Sequence, residues 1–261
     1  MYKTPEEFHT RLHFERSRFN RSLEDTLLML ASKIASLGIL KKEEFDEILD
    51  KILVGNNKES LTEKTIRNQR TEMIKLFGLV KYVDGLAYPG QRLEKLAQTQ
   101  DIPRFFKSFC RQFQFPAGFL KPDKVKEMVQ VGVSFKPAKY ILNILKVGQS
   151  KYGEQFSLDA AEVTHFIFND IRVTAKKEKP IDVVNRIRDV RTKKMTLDRT
   201  SDVIRYARDF LNYMVEANLL IEFQGMYTIN EKEKRAIHYI MSDDTFFGGY
   251  NKVFNSDGTW D

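Results

Sequence analysis

The stretch TIRNQRTEMIKLFGLVKYVDGLAY, residues 65–88, decides the fold class of this sequence. Its first half places apolar residues at helical spacing, which predicts an amphipathic helix with one buried face. Gly78 marks the end of that helix, because glycine adopts a left-handed backbone without steric cost. The residues after it surround Asp84-Gly85, a pair typical of a two-residue β-hairpin turn. Helix, glycine cap and hairpin together predict a winged helix.

The same pattern occurs a second time in VIRYARDFLNYMVEANLLIEFQGMYTI, residues 203–229. Asn218 stands where Gly78 stood, and asparagine is the next most common residue at a left-handed helix end. The separation from Gly78 to Gly85 equals that from Asn218 to Gly225, so the two hairpins match in length. A repeated unit fixes the architecture. We therefore predict a mainly α-helical protein with small β-hairpin wings, built from two winged-helix (helix-turn-helix) subdomains and an N-terminal arm.

The rest of the sequence supplies the arm, the remaining helices and the boundaries. The arm is rich in arginine, and arms of this kind often enter a groove of DNA. In the second subdomain, Ser157 is predicted to cap one helix, and Pro180 lies in the first turn of the next. The predicted divisions are residues 1–21 for a DNA-contacting arm, 22–116 for the first winged-helix subdomain, 117–134 for a joint, 135–241 for the second winged-helix subdomain and 242–261 for an irregular acidic tail or linker.

The composition is typical of a globular intracellular protein. The chain has 261 residues, of which 42% are hydrophobic, enough for two modest domains with cores of their own. Its single cysteine, Cys110, cannot form an internal disulfide, and its apolar neighbours favour a buried thiol over a nucleophile. The N-terminus lacks the apolar core of a signal peptide, and no apolar run approaches the roughly 18 residues of a membrane span. These features predict a cytoplasmic protein.

Positive charge is concentrated beside the second winged helix. The chain has a formal net charge of +7, and residues 171–208 alone contain twelve Lys or Arg against five Asp or Glu, a difference of +7. A charge run is usually a solvated face, but a basic block that leads into a recognition helix favours a polyphosphate partner. The expected DNA phosphate contacts are Arg21, Lys64, Thr65, Lys176, Lys177, Lys193, Lys194 and Arg199.

Several kinds of site find no support in the sequence. His9 and His13 are the only histidine pair at ligand spacing, and two histidines without a nearby Cys make a poor zinc site. Neither a Gly-x-x-x-x-Gly-Lys-Ser/Thr loop nor a Gly-x-Gly-x-x-Gly loop occurs. No Asp or Glu stands two places before a Lys, so the Asp/Glu-x-Lys tripeptide of a common Mg²⁺-dependent nuclease site is missing. We predict a noncatalytic chain without a metal or cofactor of its own.

With these kinds of site excluded, the function that the sequence still supports is nucleic-acid recognition. The stretch RNQRTE, residues 67–72, contains the types of side chain that contact bases. Arg can donate to guanine, Asn or Gln to adenine, Glu can accept from cytosine, and Thr can touch a thymine methyl group. The helix before the hairpin is the one that winged helices place against the major groove. The alternative is a solvated helix face held by pairs such as Arg67 with Glu63. The predicted base contacts of the two helices are Arg67, Asn68, Gln69, Arg70, Thr71, Glu72, Arg205, Tyr206 and Arg208.

An aromatic series follows the first wing and allows two interpretations. Aromatic rings at this spacing could stack on bases, or they could fill a core. The sequence around them has no interleaved glycine and no strand pattern of an RNA-binding domain, which favours core packing. The residues of the series are Phe105, Phe106, Phe109, Phe113 and Phe115.

The sequence also resembles a known family. The stretches TIRNQRTEMIKLFG, PGQRLEKL, IPRFFKSFCRQFQFPAG, KPIDVVNRI and LNYMVEANLL are similar to the N-terminal DNA-recognition domains of the BpuJI family of type IIS restriction endonucleases. The resemblance implies two winged-helix subdomains and an arm that read a short asymmetric duplex site. It also implies a separate nuclease domain that uses Mg²⁺. The residues whose base contacts it implies are Arg16, Arg18, Asn68, Arg70, Thr71 and Glu72.

Together these features predict a sequence-specific double-stranded DNA recognition module of a type IIS-like restriction endonuclease. Its partner would be a nuclease domain or subunit, which this chain lacks. A winged-helix transcriptional regulator is the alternative. Regulators usually bind palindromic sites as dimers, whereas two different winged helices on one chain, without a heptad pattern for dimerisation, favour a monomer on an asymmetric site. A winged-helix scaffold that binds only proteins is a third possibility.

Overall fold

The structure, a computed structural model, describes residues 1–12, 23–55 and 71–246, and within these ranges the fold is mainly helical. Contacts between residues divide the chain into two compact units. The first unit is Glu15–Phe105, and the second unit joins Met1–Phe14 to Phe106–Asp261. Among the described residues, no helix is long and apolar enough to cross a membrane.

The first unit contains a small sheet and the helices that pack on it. Its core includes Phe45 of the second helix and Phe77, both fully buried. The Tyr82 hydroxyl donates to Asp46 Oδ1 at 2.9 Å and so joins a strand to that helix. The described elements are α1 (Leu23–Ala35), β1 (Leu40–Lys41), α2 (Lys42–Gly55), a π-helical segment (Thr71–Leu76), β2 (Val80–Val83), β3 (Leu86–Pro89), α3 (Gln91–Thr99) and the start of α4 (Ile102–Gln112).

The second unit has more helices around a sheet of the same size. Short 3-10 turns lie at Glu6–Phe8 and Glu231–Glu233, and a π-helical segment lies at Thr164–Phe168. The other described elements are α5 (Pro122–Gln130), α6 (Pro137–Tyr152), β4 (Leu158–Asp159), α7 (Ala160–Val163), α8 (Ile171–Thr174), α9 (Pro180–Thr192), α10 (Ser201–Glu216), β5 (Leu220–Phe223), β6 (Met226–Ile229) and α11 (Lys234–Ser242).

The two sheets have the same topology. Both are antiparallel, with order β1-β3-β2 in the first unit and β4-β6-β5 in the second. In each sheet the hairpin predicted from the sequence supplies two strands, and a two-residue strand from an earlier part of the unit supplies the third. Leu40 pairs with Ala87, and Leu158 pairs with Tyr227. The third strands were not predicted, because two residues are too few for a recognisable period.

The predicted helix ends are confirmed at the level of single hydrogen bonds. Gly78 has a φ of 62° and Asn218 a φ of 56°. The next main-chain N–H donates back to the helix at 2.9 Å in both units, from Leu79 to Ile74 and from Leu219 to Met214. This is the bond of a left-handed helix cap, in which the cap residue must take a positive φ. The repeat therefore extends to equivalent backbone bonds.

The aromatic series is core, as predicted. Its five residues are each 7% exposed or less. In the second unit, Phe109 lies at the centre of a cluster with Phe113, Phe210 and Tyr213. Cys110 is also buried, at 1% exposure, as its apolar neighbours indicated.

Some local predictions differ from the structure. The prediction of Ser157 as a helix cap is wrong, because Leu158 and Asp159 form β4 and Asp159 caps α7 instead. Asp159 accepts from the Glu162 main-chain N–H at 2.8 Å, and the Glu162 side chain accepts from the Asp159 N–H at 3.1 Å, a complete capping box. Residues 117–134, which the sequence predicts as a joint, include α5, and the division of the chain by contacts falls between Phe105 and Phe106, within α4.

Candidate nucleic-acid interface

Most residues predicted to contact DNA from the arm and the first unit lie outside the residues that the structure describes. These are Arg16, Arg18, Arg21, Lys64, Thr65, Arg67, Asn68, Gln69 and Arg70. Of Thr71 and Glu72, only the backbone is described, and it is π-helical where the sequence indicated an α-helix. Such turns are rare and frequently lie at functional sites. The roles of these residues in DNA contact stay predictions.

In the second unit, the first turns of α10 carry two predicted base contacts, Arg205 and Tyr206. The Arg205 guanidinium lies 4.7 Å from the centre of the Tyr206 ring, and its Nη2 donates to the Tyr206 hydroxyl at 2.9 Å. Its Nη1 lies 3.6 Å from the carboxylate of Asp202. The bond to Tyr206 is the main cause of the raised pKa of Arg205. Arg205 is therefore held along its own helix by its neighbours.

The N-terminal segment adds a cation to this place. Arg11 Nη2 donates to the main-chain carbonyl oxygen of Asp202 at 3.1 Å, and its guanidinium lies 5.6 Å from the centre of the Tyr206 ring. Guanidinium groups are attracted to aromatic faces at this range, so Tyr206 interacts with both Arg11 and Arg205. Arg11 and Asp202 are 191 positions apart, which is why no local sequence pattern reveals the contact.

We expect Arg11→Ala to lower the free energy of unfolding by about 1 kcal/mol, because it removes a hydrogen bond and a cation–π contact at an exposed position. Arg11→Lys should lose less, since it keeps the charge. Chemical denaturation measures both changes. Lys3→Ala, an exposed cation on the same segment, serves as the control, and an equal loss in that variant would contradict the assignment.

Residues 1–12 lie along the second unit. Tyr2 stacks on Phe166 with ring centres 4.6 Å apart, and Thr4 Oγ1 donates to the carbonyl oxygen of His165 at 2.7 Å. Further along, the Phe8 ring lies 4.5 Å from the guanidinium of Arg172. The described part of the predicted DNA-contacting arm is thus docked on its own unit and ends beside the start of α10.

The structure separates the arginines of the basic block from its lysines. Several arginines face carboxylates within the second unit, so part of their charge is already neutralised. Lysines 176, 177, 193 and 194 are exposed instead. The exposed positive charge of these residues is therefore carried mainly by lysine. The arginine pairs are Arg172 and Arg186 with Asp170, Arg191 with Glu162, and Arg199 with Asp159.

Two predicted contacts have particular surroundings. The side chain of Arg199 is 61% exposed, but its Nη2 lies 2.6 Å from Asp159, so a phosphate would have to share it. Arg208 is half-buried, and its charge acts on Tyr227 of β6, where burial raises the pKa and Arg208 opposes that change. The Tyr227 hydroxyl donates to Asn212 of α10 at 3.0 Å, which ties the hairpin to this helix.

Acidic and histidine side chains do not gather into a metal centre in residues 1–12, 23–55 and 71–246, where no group of three or more potential ligands occurs. Two of the most buried acids, Asp170 and Glu162, instead pair with arginine.

Comparisons with known proteins agree with one another. The family described as the N-terminal part of the restriction endonuclease BpuJI matches residues 2–260. A solved structure, described as the BpuJ1 endonuclease binding domain in complex with pyrene- and phenanthrene-modified DNA, is 28% identical. The match covers 99% of this chain and 98% of that chain, with a TM-score of 0.84. No curated protein sequence matches the chain.

Proposed function

Because the chain belongs to the family of N-terminal domains of the restriction endonuclease BpuJI, we propose that it is the sequence-specific duplex-DNA recognition module of a type IIS-like restriction endonuclease. The observation that carries the proposal is the similarity, over nearly the whole of both chains, to a domain solved in complex with DNA. The exposed lysines and the arginines around Tyr206 supply the charge that a DNA-binding surface needs.

Each unit would read part of the site as a winged helix. The shared sheet order and the helix α10 directly before the β5–β6 hairpin support this interpretation. In winged helices that helix enters the major groove. On this proposal, α10 and the end of the docked segment face one part of the site, and the turn at residues 67–72 reads another.

The chain would bind as a monomer in the cytoplasm and would leave cleavage to a nuclease domain or subunit. The missing Asp/Glu-x-Lys tripeptide supports a noncatalytic role for this chain. The chain needs no cofactor on this proposal, and Mg²⁺ belongs to the nuclease. Two different DNA-binding units on one chain fit a short asymmetric site better than a palindrome.

Two substitutions distinguish a contact with a base from a contact with a phosphate. Arg70→Ala should cost roughly 1–3 kcal/mol of binding free energy and relax the preference at one base position. Lys194→Ala should weaken binding to every duplex alike and reduce the slope of log K against log salt by about one. Titrations of a duplex that carries the recognised sequence, and of its single-base variants, at several salt concentrations measure both effects.

Lys95→Ala, an exposed lysine of the first unit, is the control for Lys194→Ala. The assignment of Arg70 as a base contact fails when its substitution weakens all duplexes equally, as the lysine substitution should.

Selection from a randomised duplex library, with and without Mg²⁺, tests the function itself. Enrichment of one short asymmetric motif without cut ends is the expected result. Cleavage by this chain would overturn the noncatalytic assignment. Retention of no duplex at all would overturn DNA recognition and favour a role in protein binding.

A further inference from the structure

A groove lined by lysines lies in the second unit at the start of α6. Its volume is about 440 Å³, and its apolar lining includes Phe135, Tyr140 and Pro180. Four lysines belong to it, two from the start of α6 and two from the connection between α8 and α9. We call it the lysine groove, and its cationic residues are Lys136, Lys139, Lys177 and Lys179.

The lining also holds two acids of the chain itself, Glu178, which pairs with Arg186, and Asp244. Residues Asp243 and Asp244, which directly follow α11, form what we call the acidic clasp. Asp244 Oδ1 lies 2.5 Å from Lys139 Nζ, and Asp243 Oδ2 lies 3.5 Å from Lys136 Nζ. Lys136 Nζ also donates to the carbonyl oxygen of Asp243 at 3.3 Å and to that of Thr245 at 3.0 Å. Two lysines of the groove are thus occupied by anionic and carbonyl oxygens.

The surroundings of Asp243 favour a negatively charged side chain. Its carboxylate also lies 3.3 Å from Arg111 Nε and accepts the Thr245 main-chain N–H at 2.9 Å. Burial works to raise the pKa of Asp243, but the bonds from Thr245 and Lys136 outweigh it, and the pKa lies below its usual value. Burial lowers the pKa of Lys136, and Asp243 opposes that change. The ammonium of Lys136, with a side chain only 8% exposed, therefore depends on a nearby negative charge.

The ion pair between Asp244 of the acidic clasp and Lys139 is easily replaced by an ion pair with another anion. The side chain of Asp244 is 91% exposed, and ion pairs between exposed side chains contribute little to stability. A phosphodiester group offers the same charge and similar acceptor oxygens. The first turn of α6 contains no acidic residue, so the positive end of its helix dipole adds to the preference for an anion.

The lysine groove also adjoins other cationic residues of the second unit. Lys177 is one of the predicted phosphate contacts and lines the groove. Its neighbour Lys176 has its Nζ 5.3 Å from the ring of Phe8, on the docked N-terminal segment. That segment leads to Arg11 and Tyr206 at the start of α10. Lys176 and Lys177 therefore connect the groove to the N-terminal segment that contacts α10.

We propose that the lysine groove binds the phosphodiester backbone of DNA, and that the acidic clasp fills it when DNA is absent and is displaced when DNA binds. The inference rests on the proposed function, because it takes DNA as the partner. Phosphates carry no sequence information, so the clasp should affect all duplexes alike.

The test is the double variant Asp243→Asn/Asp244→Asn, which keeps the shape of both side chains and removes their charge, measured beside Asp244→Asn alone, which leaves the charge that Lys136 needs and should show a smaller gain in the same direction. The double variant should bind specific and scrambled duplexes about three- to tenfold more tightly at low salt, because two lysines no longer need to exchange a carboxylate for a phosphate. The slope of log K against log salt should steepen by up to about two, at ~0.9 for each phosphate. A gain in affinity cannot arise from misfolding.

The control is Asp123→Asn/Glu154→Gln, which removes the same charge from exposed residues outside the groove. The gain should also disappear in a Lys139→Gln/Lys177→Gln background, where Lys136 is kept because it is nearly buried. An equal gain in the control, or a gain that persists without these lysines, would overturn the groove while leaving DNA recognition intact. Absence of DNA binding by the unaltered chain would instead overturn the proposed function.

Discussion

Asp170→Asn should lower the free energy of unfolding by about 3–5 kcal/mol, among the largest effects of any single substitution in the second unit. The Asp170 side chain is fully buried between two arginines. Arg172 donates to it from Nε at 2.9 Å and from Nη2 at 2.6 Å, and Arg186 Nη1 donates at 2.7 Å. Asparagine cannot balance two guanidinium charges, and removal of one member of a buried charge cluster leaves the others uncompensated.

The carboxylate of Asp170 also supports elements that position the candidate interface. It accepts the main-chain N–H of Arg172 at 3.0 Å and so caps α8. The Arg172 guanidinium that it holds packs on Phe8 of the docked segment. Arg186 extends the cluster to Glu178, whose carboxylate has a raised pKa because burial outweighs the nearby arginines. Loss of the charge should therefore loosen the N-terminal segment together with α8 and α9.

Thermal and chemical denaturation measure the loss, which corresponds to a fall in melting temperature on the order of 10 °C. Asp189→Asn is the matched control, because Asp189 is an exposed acid on α9, and its change should stay within about 0.5 kcal/mol. Limited proteolysis of the first 12 residues reports the segment separately. A midpoint for Asp170→Asn equal to that of the control would refute the role of the cluster.

The parts of the fold that the sequence predicted are those fixed by local bonds. A left-handed residue at the helix end, followed by a two-residue turn, is determined within about a dozen positions, so Gly78 and Asn218 could be recognised. Strands β1 and β4 depend on pairing with distant partners and were missed. Ser157 was a reasonable cap by residue type, but Asp159 has the glutamate three positions later that completes a capping box.

The candidate site was predictable in charge but not in arrangement. Residues 171–208 contain the net charge of the whole chain, yet the count could not show that Arg172 and Arg186 face Asp170 while lysines such as Lys177 face the solvent. Those pairings depend on tertiary packing. The contact of Arg11 with α10 and that of Asp243 with Lys136 span 191 and 107 positions, and no spacing rule reaches across such distances.

Phe109→Ala should lower the free energy of unfolding by about 3–5 kcal/mol, the usual cost of removing a fully buried phenylalanine ring. Phe109 is 1% exposed, and its ring centre lies 5.1 Å from that of Phe113 and 5.7 Å from that of Tyr213. Tyr213 belongs to α10, so the cavity would form beneath the helix that the proposed function places in the major groove.

This substitution also separates the two interpretations of the aromatic series. A core ring contributes to DNA binding only through folding, so affinity measured well below the melting temperature should stay within about twofold of the unaltered chain. A ring that stacks on bases would instead cost roughly 1–3 kcal/mol of binding and little stability. Phe223→Ala, which removes a ring that is 71% exposed, is the control for stability. Lost affinity with unchanged stability in Phe109→Ala would show that the buried cluster opens to meet DNA.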